Sequence, residues 1–216
     1  EVIKKEIDLK KINIKFMLGH SLGEYTALTA ANILSIENCS KLLKVRGQLM
    51  QNAYEPNKSS MAALIGINCE TVDKIIKENN LDVQIANDNS PLQVVISGLK
   101  NKLLESENIF KNNGAKKFIL LNVSAAFHSF LMNDAQNKML EYINNIEFKD
   151  SSISIISNYT GQICNEKKEI INNLNNQMSS RVRWVESINS LEKLNVTNIV
   201  EIGPGKVLSG LIKRIS

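Results

Sequence analysis

A serine between two glycines near the start of the chain limits the possible folds more than any other feature. The run Gly19-His20-Ser21-Leu22-Gly23 follows an apolar segment at residues 12–18 and precedes an alanine-rich helical pattern over residues 22–33. G-x-S-x-G in this context is typical of a sharp strand-to-helix turn that exposes the serine hydroxyl, and the Leu22 N–H at the helix start can donate to an oxyanion. The pattern predicts Ser21 as a nucleophile. A glycine-rich turn with an incidental serine is the alternative.

Strands and helices alternate along most of the chain, which predicts an α/β fold with a mostly parallel sheet flanked by helices. A last core strand is expected at residues 196–202. Between residues 61 and 123 the apolar segments are shorter and follow the order β-α-β-β-α-β, the ferredoxin-like split unit. We therefore predict a hydrolase-like core over residues 1–59 and 124–216, with a smaller ferredoxin-like βαββαβ subdomain inserted at residues 60–123.

Composition argues against several classes of protein. The 216 residues are 43% hydrophobic, enough for a globular core, and no stretch reaches the ~18 to 20 apolar residues of a membrane span, while Glu1 opens a charged segment rather than a signal peptide. The net charge is +4 with scattered lysines and 5% aromatics, which argues against nucleic-acid binding. Cys39, Cys69 and Cys164 are too few and too widely spaced for a disulfide framework or a zinc site, so we expect buried thiols and no metal.

A serine nucleophile needs a base, and the chain contains two histidines. His20 is adjacent to Ser21 on the turn and is expected to point away from it. His128 lies in a loop between the last strand of the predicted subdomain and the next helix, where loop residues reach over the carboxyl ends of sheet strands. We therefore expect His128 to be the base, with a surface or capping histidine as the alternative.

Two polar side chains lie on helical faces that are otherwise apolar. The face that carries Arg46 also carries Cys39, Leu42, Leu43, Leu49, Met50 and Ala53. A guanidinium on a buried face needs an anion, either in a structural ion pair with an Asp or Glu or in the carboxylate of a substrate gripped by its two-pronged donor array. Gln177 has a similar position on a later helix, and we expect it to be hydrogen-bonded at the site.

Four segments together resemble the malonyl-CoA:acyl-carrier-protein transacylases. They are Gly-His-Ser-Leu-Gly-Glu-Tyr at 19–25, Val-Arg-Gly at 45–47, Ala-Phe-His at 126–128 and Glu-Ile-Gly-Pro-Gly-Lys-Val-Leu at 201–208. The resemblance covers essentially the whole chain. It implies an enzyme of type II fatty acid synthesis that moves malonyl from malonyl-CoA to the phosphopantetheine thiol of acyl carrier protein, with no metal and no bound cofactor.

The same resemblance implies roles for individual residues. Ser21 would be acylated, His128 would be the base, and Arg46 would bind the malonyl carboxylate. The backbone carbonyl of Gln177 would position the histidine, so no triad carboxylate is expected. Because Arg46 would be left without a carboxylate, acetyl-CoA would be a poor donor. Phe127 would crowd an α-methyl branch, so methylmalonyl-CoA would be a poor donor too.

The resemblance also carries expectations about the rest of the protein. Family members begin with a strand and a Gly-Gln-Gly-type loop that supplies a second oxyanion donor, and nothing before Glu1 corresponds to them, so we expect the sequence to lack the start of the protein. We expect a monomer. Basic residues around the cleft would dock the acidic carrier protein; the candidates are Arg181, Arg183, Lys206 and Lys213, with solvated lysines that have no partner as the alternative.

The Asn- and Lys-rich composition favours a plastid-type organelle such as the apicoplast, with bacterial cytoplasm or the mitochondrion as alternatives. Two other functions stay open at this point. An α/β-hydrolase-type serine esterase or thioesterase shares G-x-S-x-G, but it requires an Asp or Glu between the serine and the histidine in chain order. An inactive fragment that binds carrier protein is the second.

Overall fold

The computed structural model describes residues 13–216; Glu1 and Ile12, on which two of the expectations above fall, lie outside the described residues. The strands are β1 (Phe16–Met17), β2 (Ser59–Ile65), β3 (Val83–Ser90), β4 (Gln93–Leu99), β5 (Lys117–Leu120), β6 (Ser154–Ile156) and β7 (Ile163–Cys164). The helices are α1 (Leu22–Ala30), α2 (Ile36–Gln51), α3 (Cys69–Glu78), α4 (Lys100–Asn112), α5 (Asn133–Asn144), α6 (Lys167–Gln177), α7 (Trp184–Lys193) and α8 (Val207–Ile212). A 3₁₀ turn over Phe130–Met132 leads into α5.

The first sheet has three strands in the order β1-β6-β7. β1 runs parallel to β6, with Phe16 opposite Ser154, and β6 runs antiparallel to the short β7, which the sequence patterns did not predict. The α/β class is therefore confirmed. The prediction of a mostly parallel sheet is not met within residues 13–216, where this sheet is mixed and β1–β6 is the one parallel pair of strands.

Residues 196–202 form no strand, contrary to the prediction. Two of their apolar side chains are among the most exposed in the described chain, Val200 at 79% and Ile202 at 64%. An apolar run becomes a strand when a neighbouring strand pairs with its backbone, because β structure depends on the cross-strand partner more than on local preference. No strand of the described part pairs with this segment.

The second sheet has four antiparallel strands in the order β3-β4-β2-β5. Alternate residues of each strand face opposite sides, so Ala62 and Leu64 of β2 join the core formed with α3 and α4. Met61 and Ala63 face the other way and pack with Phe127, in the loop that follows the sheet. This second face therefore supports the segment that carries His128.

The larger core lies between β1, β6 and the surrounding helices α1, α2, α5 and α6. Ser35 caps α2, since its Oγ accepts the Asn38 N–H at 3.0 Å. Tyr25 and Leu28 of α1 are fully buried in this core, which fixes the direction in which α1 leaves the turn after β1. Among residues 13–216, none of the helices is long and apolar enough to cross a membrane.

Candidate active site

The turn between β1 and α1 has the sharp geometry that its glycines predict. Ser21 has φ 53° and ψ −106°, a conformation that L residues adopt only when their surroundings hold it. Gly19 is required by a close approach, because a Cβ there would lie 2.1 Å from the carbonyl carbon of Gly23. The turn is closed by the Gly23 N–H, which donates to the His20 carbonyl at 2.9 Å.

Leu22 is the first residue of α1. The N–H groups of the first helical turn have no acceptor within the helix, and the helix dipole adds partial positive charge at the same end. The Leu22 N–H directly follows Ser21, so it is suitably placed to donate to negative charge that develops on an acyl group bound to the serine.

His128 lies beside Ser21, 107 positions away in the chain, and its Nε2 is 2.7 Å from Ser21 Oγ. Its Nδ1 is 3.0 Å from the Gln177 carbonyl and 3.1 Å from the Ser180 carbonyl. Because carbonyl oxygens only accept, Nδ1 carries the proton, and Nε2 is left to accept from the serine hydroxyl. Carbonyls, rather than a carboxylate, thus set the tautomer.

His128 is 3% exposed. Burial, followed by the positive charge of Arg46, lowers the pKa of His128 to about 3. The imidazole is therefore neutral near pH 7, which is the protonation state that can accept a proton. The His128 backbone, at φ 57°, is held by its N–H, which donates to the Met178 carbonyl at 3.1 Å.

Arg46 is 5% exposed and points its guanidinium at the same serine. Its Nη2 donates to Ser21 Oγ at 3.0 Å and to Gln177 Oε1 at 3.1 Å. The guanidinium carbon lies 5.5 Å from the centre of the Tyr25 ring. Within residues 13–216 no carboxylate is within 4.0 Å of this guanidinium, so the structural ion pair that the sequence left open is not formed there.

Gln177 is hydrogen-bonded at this site, as its position on an apolar helical face predicts. Its Nε2 donates to the Ser21 carbonyl at 3.1 Å and to Glu24 Oε2 at 2.7 Å. Its Oε1 accepts from Arg46, and its backbone carbonyl accepts from His128. One residue at the end of α6 thus contacts the serine, the arginine and the histidine.

The sequence reasoning missed two buried residues of this network. Glu24 is 2% exposed and Asn158 is 1% exposed. Asn158 Oδ1 accepts the Ser21 N–H at 2.5 Å, and its Nδ2 donates to the Gly19 carbonyl at 2.7 Å. Glu24 was detectable, because a carboxylate among the buried apolar residues of α1 is the same signal that identified Arg46.

The remaining candidate residues have other surroundings. His20 pairs with Asn89, its Nε2 2.7 Å from Asn89 Oδ1, and its ring centre is 5.5 Å from that of Trp184. It is not paired with Ser21, as expected. Phe127 packs against both the larger core and the open face of the four-stranded sheet. No group of three His, Cys, Asp or Glu side chains that could hold a metal occurs in the part of the chain that the structure describes.

Burial raises the pKa of Glu24 to about 7, against the opposing hydrogen bonds from Gln177 and Asn158 and the charge of Arg46. A carboxyl whose pKa is higher in the folded than in the unfolded state stabilises the protein below the unfolded pKa, and this stabilisation is lost as pH rises through the folded pKa. Wild type should therefore lose stability as pH rises from 4.5 to 8, and Glu24→Gln should not. We expect the free energy of unfolding of Glu24→Gln, minus that of wild type, to rise by about 3 kcal/mol over this range.

Urea unfolding of both proteins across this pH range measures the difference. Glu141→Gln, at an exposed position on α5, is the matched control and should show no such trend. A Glu24→Gln difference that does not change with pH would contradict the expectation.

The geometry agrees with a comparison to known families: residues 14–214 match the acyl transferase domain. The malonyl CoA-acyl carrier protein transacylase of Bacillus subtilis (strain 168) is 43% identical over 205 residues, covering 93% of this chain and 64% of that protein. The crystal structure of acyl-carrier-protein-S-malonyltransferase from Bartonella henselae superposes with a TM-score of 0.93 at 38% identity, covering 100% of this chain and 69% of that one.

A second similar structure is a malonyl-transacylase solved in complex with its type II PKS acyl-carrier protein. Its TM-score is 0.90 at 35% identity, with 96% of this chain and 69% of that chain covered. The chain thus spans about two thirds of the length of these relatives. It belongs to the acyl transferase family and, within it, to the malonyl CoA-acyl carrier protein transacylases, which confirms the resemblance noted from the sequence.

Proposed function

We propose that the protein transfers a malonyl group from malonyl-CoA to the phosphopantetheine thiol of acyl carrier protein, through an ester on Ser21, in type II fatty acid synthesis. One observation carries this proposal. Ser21 Oγ is hydrogen-bonded both to the neutral His128 imidazole, at 2.7 Å, and to the buried Arg46 guanidinium, at 3.0 Å. A base and a cation at one hydroxyl suit an acyl group that ends in a carboxylate.

In the first half-reaction His128 Nε2 takes the hydroxyl proton while Ser21 Oγ attacks the thioester carbonyl. The Leu22 N–H donates to the oxyanion that forms. Collapse of the tetrahedral intermediate breaks the carbon–sulfur bond, and the coenzyme A thiolate takes the proton from His128. Malonyl is left as an ester on Ser21.

The second half-reaction reverses this chemistry with a new thiol. The phosphopantetheine thiol gives its proton to His128 and attacks the ester carbonyl, and the proton returns to Ser21 Oγ when the ester breaks. The Gln177 carbonyl, 3.0 Å from His128 Nδ1, keeps the imidazole in the required tautomer and favours its transient positive charge. Neither half-reaction calls for a metal or a bound cofactor.

Donor choice is assigned to two residues. Arg46 would pair its guanidinium with the malonyl carboxylate in two parallel hydrogen bonds, which acetyl cannot form. Phe127 would crowd an α-methyl branch, so methylmalonyl-CoA should be a poor donor. The position of Phe127 beside His128, packed from both sides, supports this assignment because a fixed ring excludes volume better than a mobile one.

The function is tested by incubating the purified protein with malonyl-CoA and measuring its intact mass. A malonyl adduct on Ser21 that persists in buffer and is discharged by holo acyl carrier protein is the expected result. Release of malonate to water without a thiol acceptor would instead indicate an esterase. A protein that binds carrier protein but forms no adduct would indicate the inactive carrier-binding alternative.

The domain division at residues 1–59, 60–123 and 124–216 is part of the same proposal. Support comes from the four-stranded order β3-β4-β2-β5 and from the separate core that this sheet forms with α3 and α4. We also propose that the protein is a monomer. For its compartment we propose a plastid-type organelle, which the Asn- and Lys-rich composition supports. The alternatives for the compartment are bacterial cytoplasm, which the bacterial relatives favour, and the mitochondrion.

Acyl carrier protein is the partner we assign, supported by the similar malonyl-transacylase that was solved with one. Of the four basic docking candidates, Arg181 and Arg183 both pair with Glu186 Oε1, at 2.9 Å and 2.8 Å. Their charges are therefore partly neutralised within the protein. Lys206 and Lys213 are exposed at the two ends of α8 and are the better candidates.

We expect added salt to slow transfer to carrier protein more than adduct formation, because attraction between exposed charges is screened over about 10 Å at 0.1 M salt. Replacing Lys206 and Lys213 together by Ala should reduce this salt dependence and slow the second half-reaction several-fold. Lys138→Ala, at an exposed position on α5, is the control. Equal salt sensitivity of the two half-reactions would count against this docking surface.

A further inference from the structure

Both hydrogen bonds that Glu24 accepts end on one atom. Glu24 Oε2 accepts the Asn158 N–H at 3.1 Å and the Gln177 Nε2–H at 2.7 Å. All three residues are buried, so water cannot replace either bond at low cost. A single carboxylate oxygen therefore joins two segments that are distant in sequence, the end of α6 and the residues after β6.

The Asn158 branch leads to the nucleophile turn. The Asn158 side chain accepts the Ser21 N–H at 2.5 Å and donates to the Gly19 carbonyl at 2.7 Å, so it spans both sides of the turn. Ser21 has a positive φ, which the surrounding contacts must maintain. The bond from the Asn158 N–H to Glu24 holds the backbone of the residue that supplies these contacts.

The Gln177 branch leads to the arginine and the histidine. Glu24 Oε2 accepts from Gln177, so the amide NH₂ of Gln177 faces Glu24, and its Oε1 faces the other way, toward Arg46. Without an acceptor at position 24 the NH₂ group keeps only its 3.1 Å hydrogen bond to the Ser21 carbonyl, so the amide turns over more easily. Its NH₂ would then oppose the guanidinium, donor against donor.

We propose that Glu24 is a positioning residue. It sets the amide orientation of Gln177, which orients Arg46, and it anchors Asn158, which holds the turn at Ser21. Glu24 does not contact the reacting atoms in this role. The inference rests on the proposed function for its two malonyl readouts, the rate and the selectivity of adduct formation. The geometry of the Ser21–His128 pair can be tested with any acylating or phosphonylating reagent.

The test compares two variants of similar size. Glu24→Gln can place its amide oxygen where Oε2 lies and keep both hydrogen bonds, whereas Glu24→Met fills the space without an acceptor. We expect Glu24→Met to slow formation of the malonyl adduct by ~10²-fold, the scale of a misplaced reacting group, and Glu24→Gln to stay within about tenfold of wild type. Thr29→Val, elsewhere on α1, reports the effect of merely disturbing that helix.

Selectivity separates positioning from simple loss of folded protein. If Arg46 loses its orientation, Glu24→Met should reduce the malonyl-to-acetyl ratio of adduct formation by at least ~10-fold, because the carboxylate grip is lost while a neutral acyl group is little affected. A loss of folded protein lowers both rates equally. An unchanged ratio in Glu24→Met, or a Glu24→Gln variant as slow as Glu24→Met, would overturn the proposal.

Labelling of Ser21 by a fluorophosphonate provides an arm that does not depend on the malonyl substrate. We expect Glu24→Met to label at least ~10-fold more slowly than wild type, since Ser21 is less well held. Wild type that labels but forms no malonyl adduct would refute the proposed function and leave this arm as the test of Glu24. Labelling of Glu24→Met within about threefold of wild type would overturn the positioning role. If Glu24→Met does not fold, Glu24→Asp, which withdraws the oxygen by one methylene, is put through the same comparison.

Discussion

Replacing Ser21 by Ala is expected to abolish the covalent malonyl adduct completely. The hydroxyl oxygen is the atom shared by His128 and Arg46, at 2.7 Å and 3.0 Å, and no substitute nucleophile is expected once it is removed. The measurement is intact mass after incubation with malonyl-CoA, followed by peptide mapping. Ser40→Ala, at an exposed position on α2, is the control and should form the adduct at the wild-type rate.

The same experiment tests the base. Replacing His128 by Ala should slow adduct formation by at least ~10²-fold, the usual scale for a lost general base. His20→Asn is the matched histidine control, since His20 pairs with Asn89 rather than with the serine. An adduct that persists in the Ser21 variant, or a His128 variant that reacts as fast as wild type, would refute these assignments.

Replacing Arg46 by Ala is expected to change the choice of donor. A site built to pair a polar group can reject an analogue that lacks it by ~10⁴-fold, because its own buried donors are then left unpaired. Arg46 is 5% exposed and has no carboxylate partner within residues 13–216, so it meets that condition when acetyl occupies the site. In the variant, the transition state for malonyl transfer should be destabilised by about 2–5 kcal/mol. Acetyl transfer should be disfavoured less than in wild type, because no buried guanidinium is left unpaired.

The quantity to measure is the ratio of malonyl to acetyl adduct formation in both proteins. Arg46→Lys is the informative intermediate, because it keeps the charge and loses the planar fork, so its ratio should fall between those of wild type and Arg46→Ala. A ratio in Arg46→Ala within about threefold of wild type, too small a change for a lost ion pair, would make Arg46 a structural residue.

Much of this site could be predicted because its signals are local. Gly19 is required by one tight turn, and the structure has that turn, since a Cβ on Gly19 would lie only 2.1 Å from the carbonyl carbon of Gly23. Arg46 and Gln177 were detectable because a polar side chain on an apolar helical face contradicts its surroundings in the sequence itself. His128 could be predicted as the base because the chain contains two histidines and the other one, His20, is adjacent to the serine.

The patterns failed where an element depends on its neighbours. Residues 196–202 are apolar enough for a strand, yet a strand also needs a paired backbone, and no described strand supplies one. Nor could the sheet be recognised as mixed. The antiparallel strand β7 has only two residues, Ile163–Cys164, too few to show the alternation of apolar and polar residues that is typical of antiparallel strands.

The sequence alone determined the turn, the serine it presents and the faces that must be buried, because backbone geometry and amphipathic periodicity are properties of adjacent residues. The partners of the buried polar atoms were decided only by tertiary structure. Ser21 meets His128 and Asn158 across 107 and 137 positions, and Gln177 meets Glu24 across 153. Which acceptor a buried donor finds depends on how distant helices and strands pack, since only the packed core removes the water that would otherwise serve.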